Sequence, residues 1–345
     1  MKSTGRFILL VVGILTLVLA MMMTAFSLPA VHSGVHQVPI ALLAPNDQVF
    51  DNVAKQLDKQ GFKVQHYNDQ EKIKSNIMSR KVYGAIILKN SGDVTVYEAT
   101  AASANVAQMI TQVGERILLH QKNTAKTRIT NLIMKSTSIT ETKSLTSTMN
   151  KIDHKVVKIA DIKPFPKADL KGAALAAGAL PIALGGWIGA VTIATFIRGK
   201  KQKFYAVIAF SFIGGLALVA VIQFGIRTFN GNYILTSMAA MLGIAATGFL
   251  VLGILEVLGN PGLAIAIVLL ILLGNPLSGL ASAPEMLPNG WGALGQLLPP
   301  GATGTLLRNV AFFKGSATMK PIAVLMGYVV VGLLMFRLGN KSKIK

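Results

Sequence analysis

The chain has 345 residues, of which 52% are hydrophobic and only 14% charged, and its formal net charge is +20. This composition is typical of a membrane-embedded protein rather than a soluble domain. The absence of cysteine excludes disulfides, thiol catalysis and Cys-ligated metals. A large positive charge can indicate nucleic-acid binding, but here the densest basic clusters border apolar segments, as membrane spans do. We therefore expect a lipid membrane around the chain, and no nucleic acid.

Six apolar segments have about the 20 residues that are needed to cross a bilayer. They are residues 7–26, 173–197, 204–224, 234–258, 261–281 and 319–338. The first could instead be a cleaved signal peptide, because Ala25-Phe26-Ser27 could serve a signal peptidase. The length of its apolar run and the nearby Pro29 favour an uncleaved anchor.

Basic residues orient these spans. The loop between the second and third spans contains Arg198, Lys200, Lys201 and Lys203, and the C-terminal tail is also basic, whereas the loop after the third span has only Arg227. Because basic residues concentrate on the cytoplasmic side, this pattern predicts six spans with both termini in the cytoplasm. Residues 30–172 are then extracytoplasmic, and five spans would put the basic tail outside.

Residues 30–172 have the pattern of a folded α/β domain and include 12 of the 14 acidic residues. Alternation and turn residues predict strands over 38–45, 62–67, 82–88 and 94–99, and helices over 46–61, 70–80 and 104–120. An apolar stripe from Leu145 to Ile159 predicts either one helix, or a helix that ends near Asn150 and a returning strand. The β-branched residues of 156–162 favour the second.

No catalytic pattern is evident in this domain. His66, His120 and His154 have no carboxylate or histidine partner at the spacing of metal ligands, so we interpret them as structural. We expect neither enzymatic activity nor a cofactor.

The segment 274–292 is rich in proline and glycine, yet Glu285 is its only charge. Pro276 should kink or break the fifth span, because proline lacks an N–H and clashes with the preceding turn. Pro284 and Pro288 predict short helical pieces in the outer membrane interface, with Trp291 as an aromatic anchor.

The order of anchor, α/β domain and five spans resembles the permease subunits of type-2 ABC exporters, within the group that includes the phage-infection-protein-like membrane proteins. The residues that carry the resemblance are VPIALLAPNDQ, RKVYGAIIL, and the block that runs from NPLSGLASAPEMLP to RNVAFFKG before the last span. The resemblance implies an α-helical polytopic membrane protein with six spans and an α/β extracytoplasmic domain inserted between spans one and two. Its parts are an anchor (1–29), the extracytoplasmic domain (30–172) and a five-span domain (173–345) with an outer re-entrant segment (275–318).

The resemblance also implies a function. The chain would be an export permease, in which a re-entrant pair of short helices over 284–298 caps the outer end of the pathway. The residues assigned to this gating segment are Pro276, Pro284, Glu285, Pro288 and Trp291. The alternative is an apolar connector with no gating role.

An export permease must be driven, and the chain has no phosphate-binding G-x-x-x-x-G-K-[ST] loop, so a separate ATP-binding subunit is expected. By resemblance it would dock at Arg198, Lys200, Lys201 and Lys203, a short surface; otherwise the protein has lost ATP coupling. Glycines in the spans favour close helix packing and a homodimer. A surface scaffold or receptor, anchored by its spans, is the alternative function.

Two polar residues of the spans are also candidates. Glu256 is the only acidic residue within the predicted spans, and either a functional role or solvation at a helix end would explain it. Gln223, near the outer end of the third span, is interpreted as interfacial.

Overall fold

The computed structural model describes residues 12–13, 16–17, 19–20, 23–24, 26–27, 34–136, 138–170 and 172–339. The chain divides into two compact units. The sheet unit is Gln37–Pro164, and the helical unit combines Met1–His36 with Phe165–Lys345. The predicted first span and the end of the basic tail fall largely outside the described residues.

The sheet unit contains one mixed five-stranded sheet in the order β2-β1-β3-β4-β5. Its strands are β1 (Val38–Leu43), β2 (Phe62–His66), β3 (Ala85–Leu88), β4 (Val94–Glu98) and β5 (Lys158–Asp161). β1 runs parallel to β2 and β3, β4 is antiparallel to β3, and β5 is parallel to β4. Every residue of β3 is buried, because this apolar strand is covered on both faces.

Four helices accompany the sheet: α1 (Asp47–Lys59), α2 (Gln70–Met78), α3 (Ala104–Lys135) and α4 (Ile139–Asp153). Asn46 caps α1 by accepting from the Val49 N–H at 2.9 Å. α3 is 15 residues longer than predicted, because no Gly or Pro interrupts its Lys/Thr-rich second half and that half pairs with α4. The returning strand after α4 is confirmed as β5.

Among the described residues of the helical unit, four helices are long and apolar enough to cross a membrane. They are α5 (Ala173–Phe196), α6 (Lys200–Ala220, which continues as a π-helix over Val221–Ile226), α7 (Tyr233–Leu258) and the last helix, Met319–Leu338. In α7, 72% of an 18-residue apolar stretch is buried, against 22% to 39% of the corresponding stretches in the other three helices. α7 is therefore the central helix. Gly186 of α5 and Gly332 of the last helix lie directly against the α7 backbone, which lets these helices approach closely.

The predicted fifth span over 261–281 is not one continuous helix. The helix α8 (Asn260–Ile267) continues as a π-helix only to Leu273. At 1.5 Å per residue this length reaches at most about 21 Å, short of the roughly 30 Å hydrocarbon core. Two further helices follow, α9 (Trp291–Leu297) and α10 (Pro299–Phe312), before the last helix, α11 (Met319–Leu338).

α10 is a structural centre of the helical unit even though it is too short to be a span. Nearly all of its residues are buried, and it packs against α5, α7, α9 and α11. Phe312 at its end meets the rings of Phe165 and Phe229 edge-on, with centroids 5.7 and 5.8 Å away. These contacts hold α10 inside the bundle. The short helical pieces predicted over 284–298 are a 3₁₀ turn at Pro284–Met286 and α9.

Candidate functional site

The main irregularity of the helical unit is the end of α8 within an apolar segment. Its last turn is π-helical over Val268–Leu273, and the Gly274 N–H donates to the Leu269 carbonyl at 3.0 Å. Pro276 cannot continue this series of backbone hydrogen bonds, because it has no N–H and its ring clashes with the preceding helical turn. The chain therefore leaves the helical path close to the proline that predicts the break.

A buried arginine stabilises the segment after the break. Arg308 of α10 is only 4% exposed, and its Nη2 donates to the carbonyls of Gly279 (3.2 Å) and Leu280 (2.9 Å). Gly279 has φ +68, a left-handed conformation that turns the chain at this point. Carbonyls outside a helix need a donor wherever water is excluded, and the guanidinium supplies one for both.

A second set of polar contacts links the same segment to α9. Gln296 donates from Nε2 to the Ser278 carbonyl at 2.9 Å and accepts from the Thr305 hydroxyl of α10 at 2.5 Å. The Ser278 hydroxyl in turn donates to the Asn275 carbonyl at 2.7 Å and accepts from the Leu280 N–H at 3.3 Å. The non-helical chain is thus joined to α9 and α10 by hydrogen bonds as well as by apolar packing.

Glycines allow α9 to lie against backbone atoms of this region. A Cβ on Gly295 would overlap the Leu277 carbonyl, and one on Gly292 would overlap the Pro284 carbonyl. Since backbone atoms cannot yield like a flexible side chain, these two positions have room only for hydrogen. The packing of α9 on the broken segment depends on both.

A cavity of about 410 Å³ lies beside the break. One wall is Asn275, Pro276 and residues 278–282, and the other is formed by Ala176, Ala177 and Leu180 of α5, with Phe26 adjoining. None of the described side chains that line it is charged or titratable at neutral pH. The cavity can therefore hold an apolar group beside backbone and hydroxyl hydrogen-bonding atoms, and it offers no acid–base chemistry.

The predicted gating residues are only partly brought together. Pro276 lines the cavity at the break, whereas Pro284, Glu285 and Pro288 line a second one of about 270 Å³. The Glu285 carbonyl also accepts from the His36 N–H at 3.0 Å. Trp291 begins α9, where its N–H donates to the Pro288 carbonyl at 3.0 Å.

Glu256 and Lys203 were separate predictions, and the structure joins them. The Lys203 Nζ lies 2.9 Å from the Glu256 Oε1, with the two side chains 18% and 14% exposed. Glu256 is therefore satisfied by an ion pair between α6 and α7 and not by solvent at a helix end. Lys203, one of the four cations predicted to dock the ATPase, is therefore engaged within the helical unit.

The other polar candidates lie at helix ends. Lys200 donates to the Arg337 carbonyl of α11 at 3.1 Å, while Arg198 and Lys201 are exposed. Gln223, in the π-helical end of α6, donates to the Gly231 carbonyl at 2.9 Å. Gln223 thus closes the turn before α7.

The sheet unit contains a polar cluster between neighbouring strands. Glu98 accepts from the Thr111 hydroxyl at 2.9 Å, and Asp161 accepts from the Thr100 hydroxyl at 2.6 Å. Burial raises the pKa of the Glu98 carboxyl, the Thr111 hydrogen bond opposes this, and the nearby Asp161 charge raises that pKa further. Within the described parts of the chain, no group of three or more His, Asp or Glu residues could hold a metal ion.

Sequence reasoning missed Arg308 and Gln296, which hold the broken segment. One signal for Arg308 was available: it is the only charged residue between Glu285 and Lys314. A lone arginine in such a stretch is a candidate for a buried partner of backbone carbonyls. Gln296 has no comparable signal, because isolated glutamines are ordinary at helix surfaces.

Comparison with known proteins adds no family assignment. A scan against protein-family models gives no match. A search of curated proteins likewise finds no significant similarity.

Proposed function

We propose that this chain is the membrane permease subunit of a type-2 ABC exporter, moving a hydrophobic or amphipathic substrate outward with a separate ATPase. The observation that best supports the proposal is the buried non-helical segment after α8, held by Arg308. Within a membrane, such backbone is tolerated only where protein or a water-filled cavity satisfies it, and transporters use it at their pathways. A bundle that serves only as an anchor needs no such break.

In the proposed topology both termini are cytoplasmic, residues 30–172 are extracytoplasmic, and the chain crosses the membrane six times. α5, α6, α7 and α11 are four of these crossings. The fifth consists of α8 in the inner part of the bilayer, followed by the non-helical chain and α10 in the outer part. Residues 275–318 then form the outer re-entrant segment.

The gate in this proposal is α9 together with residues 284–290. α10 is anchored by Arg308, whereas α9 is joined to the broken segment through the side chain of Gln296. Movement of α9 would break that bond and release the broken segment, which forms one wall of the 410 Å³ cavity. The neutral walls of this cavity admit an apolar group without desolvating a charge.

Coupling to an ATPase would use the loop between α5 and α6. Arg198 and Lys201 are exposed there, so an acidic surface could meet them. Lys203 ties the beginning of α6 to Glu256 near the end of α7, and Lys200 ties it to α11. A displacement of the loop would thereby reach the helices that pack against α10. The permease would act as a homodimer, as its family resemblance implies.

The test of ATPase docking is charge reversal at the loop. Arg198→Glu combined with Lys201→Glu should abolish co-purification of an ATPase and abolish efflux, while Lys320→Glu, an exposed lysine at the other end of α11, should change neither. A reporter fused at Gln202 should read as cytoplasmic. An extracellular reading, or a loop variant that retains both activities, would refute the assignment.

The gate has its own test. Pro276→Ala restores a backbone N–H where α8 breaks, so it should alter transport or assembly of the protein. Efflux and oligomer size are the two measurements. Wild-type values in both would remove the break from the mechanism.

A scaffold or receptor is the second candidate, and one observation favours it. Around the turn between α3 and α4, Leu132, Met134 and Ile139 are 53%, 72% and 82% exposed. Apolar side chains clustered on a water-soluble surface are typical of protein-binding sites. If the protein is a scaffold, Met134→Lys combined with Ile139→Lys should abolish its phenotype. If it is an exporter, the same variant should retain efflux, so the variant separates the two functions.

A further inference from the structure

A groove separates two helices of the bundle at their charged ends. α6 and α11 each pack along α7 but barely touch one another, so the surface between them stays open. The volume of this groove is about 840 Å³. It lies entirely within the helical unit, beside the beginning of α6 and the end of α11.

The walls of the groove are apolar and aromatic. Phe204 and Tyr205 come from α6, and Val330, Leu333 and Leu334 come from α11. Phe204 in turn packs against Phe249 of α7, with ring centroids 5.6 Å apart.

The end of the groove is cationic. Lys200, Lys201 and Arg337 line it, and none of its described lining residues is acidic. The Lys200 Nζ is held by the Arg337 carbonyl at 3.1 Å and lies 5.1 Å from the centre of the Phe336 ring. The nearest intramembrane carboxylate, Glu256, is already paired with Lys203. Three positive charges therefore face the groove, and none of the described residues that line it is an acid that would neutralise them.

We propose that this groove binds an anionic phospholipid. The phosphate lies among Lys200, Lys201 and Arg337, and an acyl chain runs along the walls toward Val330. The α11 surface from Arg337 to Val330 covers about 10 Å of helix axis, most of one leaflet of a hydrocarbon core about 30 Å thick. Basic pockets between membrane helices bind anionic headgroups on the cytoplasmic side, where the charge pattern puts this end.

The chemistry of the groove distinguishes this ligand from two others. A free phosphate would meet the cations but leave the apolar walls uncovered. An acidic protein segment would bring backbone N–H and C=O groups against walls that cannot pair with them, at a cost for each group. The proposal rests on the chain being embedded in a membrane and holds for an exporter and for a scaffold.

Affinity for lipid headgroups is the first test. Native mass spectrometry of the full-length protein would count bound phosphatidylglycerol and phosphatidylcholine with identical acyl chains. Each basic residue near a membrane surface contributes roughly a five-fold change in affinity for anionic lipid. Lys201→Gln should thus weaken phosphatidylglycerol binding about five-fold, and Lys200→Gln/Lys201→Gln/Arg337→Gln about 100-fold.

Lys320→Gln is the matched control, because Lys320 is exposed at the other end of α11. It should leave binding unchanged. Equal binding of the two lipids, or an equal loss in the control, would overturn the proposal. Displacement of phosphatidylglycerol by inorganic phosphate at the same concentration would show an anion site and not a lipid site. The single Lys201→Gln variant keeps the test valid if the triple variant fails to fold.

The position of the acyl chain is the second test. Because the chain has no cysteine, one introduced thiol can carry a fluorophore without background. Val330→Cys lies in the groove, whereas Val331→Cys lies on another face, and the native residues are 50% and 48% exposed. Brominated phosphatidylglycerol should quench the label at position 330 at mole fractions where brominated phosphatidylcholine does not. At position 331 the two brominated lipids should quench the label equally. Quenching at 330 that ignores the headgroup would contradict the proposed site.

Discussion

Replacing Arg308 with methionine should destabilise the helical unit, because the carbonyls of Gly279 and Leu280 lose their donor. Methionine keeps much of the side-chain volume and leaves the surrounding packing in place. Arg308 is 4% exposed, so water cannot readily take over its hydrogen bonds. The segment after α8 should therefore loosen first, before the long helices separate.

The magnitude follows from the two hydrogen bonds, at 3.2 and 2.9 Å. A buried carbonyl left without a donor costs about 1–3 kcal/mol. Removing the buried cation also removes its desolvation cost, which offsets part of the lost stability. The expected net change in the free energy of unfolding is about 2–4 kcal/mol, which corresponds to a fall of roughly 5–15 °C in the unfolding temperature for a unit of this size.

Thermal unfolding in detergent, followed by the fraction that remains monodisperse, measures this change. Arg227→Met is the control, because Arg227 is exposed near the end of α6 and should shift the unfolding temperature very little. Arg308→Lys should recover only part of the loss, since a compact ammonium does not reproduce the planar guanidinium. If Arg308→Met were as stable as Arg227→Met, the broken segment would not depend on this arginine.

Three further predictions concern other contacts. Lys203→Met should destabilise the protein by about 3 kcal/mol because it leaves Glu256 unpaired, and the double variant with Glu256→Met should recover at least half of that loss; additive losses in a double-mutant cycle would refute the coupling. Gly295→Ala should cost about 1–3 kcal/mol by overlap with backbone, whereas Gly185→Ala, whose Cβ meets no atom within 4 Å, should cost little, so equal unfolding temperatures would contradict the packing of α9. Because burial raises the folded-state pKa of Glu98, the folded sheet unit binds its proton more tightly than the unfolded chain does, and stability should fall as pH rises from the ordinary pKa to the raised one. Glu98→Gln should remove that pH dependence, measured by hydrogen exchange of β4 and α3 amides in the full-length protein, and an unchanged slope would exclude Glu98 as its source.

Local patterns predicted much of the sheet unit. Alternating apolar residues and turn residues located β1 to β4, and clustered β-branched residues located β5, because a strand's pairing face and its end signals are properties of neighbouring residues. The length of α3 was not predictable in the same way. Its second half has few apolar residues and is helical because it packs along α4, a contact between distant parts of the chain.

The break in α8 was predictable, but its consequences were not. Pro276 reports a local backbone constraint, which sequence alone can express. The depth at which α10 is buried depends on α5, α7 and α11 surrounding it, so its own composition does not specify that depth. Apolarity indicates removal from water without distinguishing lipid from protein as the new surroundings.

The sequence by itself determined which segments prefer a membrane, which ends of them are basic and where the backbone cannot continue a helix. Those properties belong to single residues or to their neighbours along the chain. Only the tertiary structure decided that Arg308 pairs with carbonyls 28 and 29 residues away, and that Lys203 pairs with Glu256, 53 residues away. Partners at such separations are chosen by the packing of helices around α7, and hydrophobic patterning does not specify which polar side chains that packing brings together.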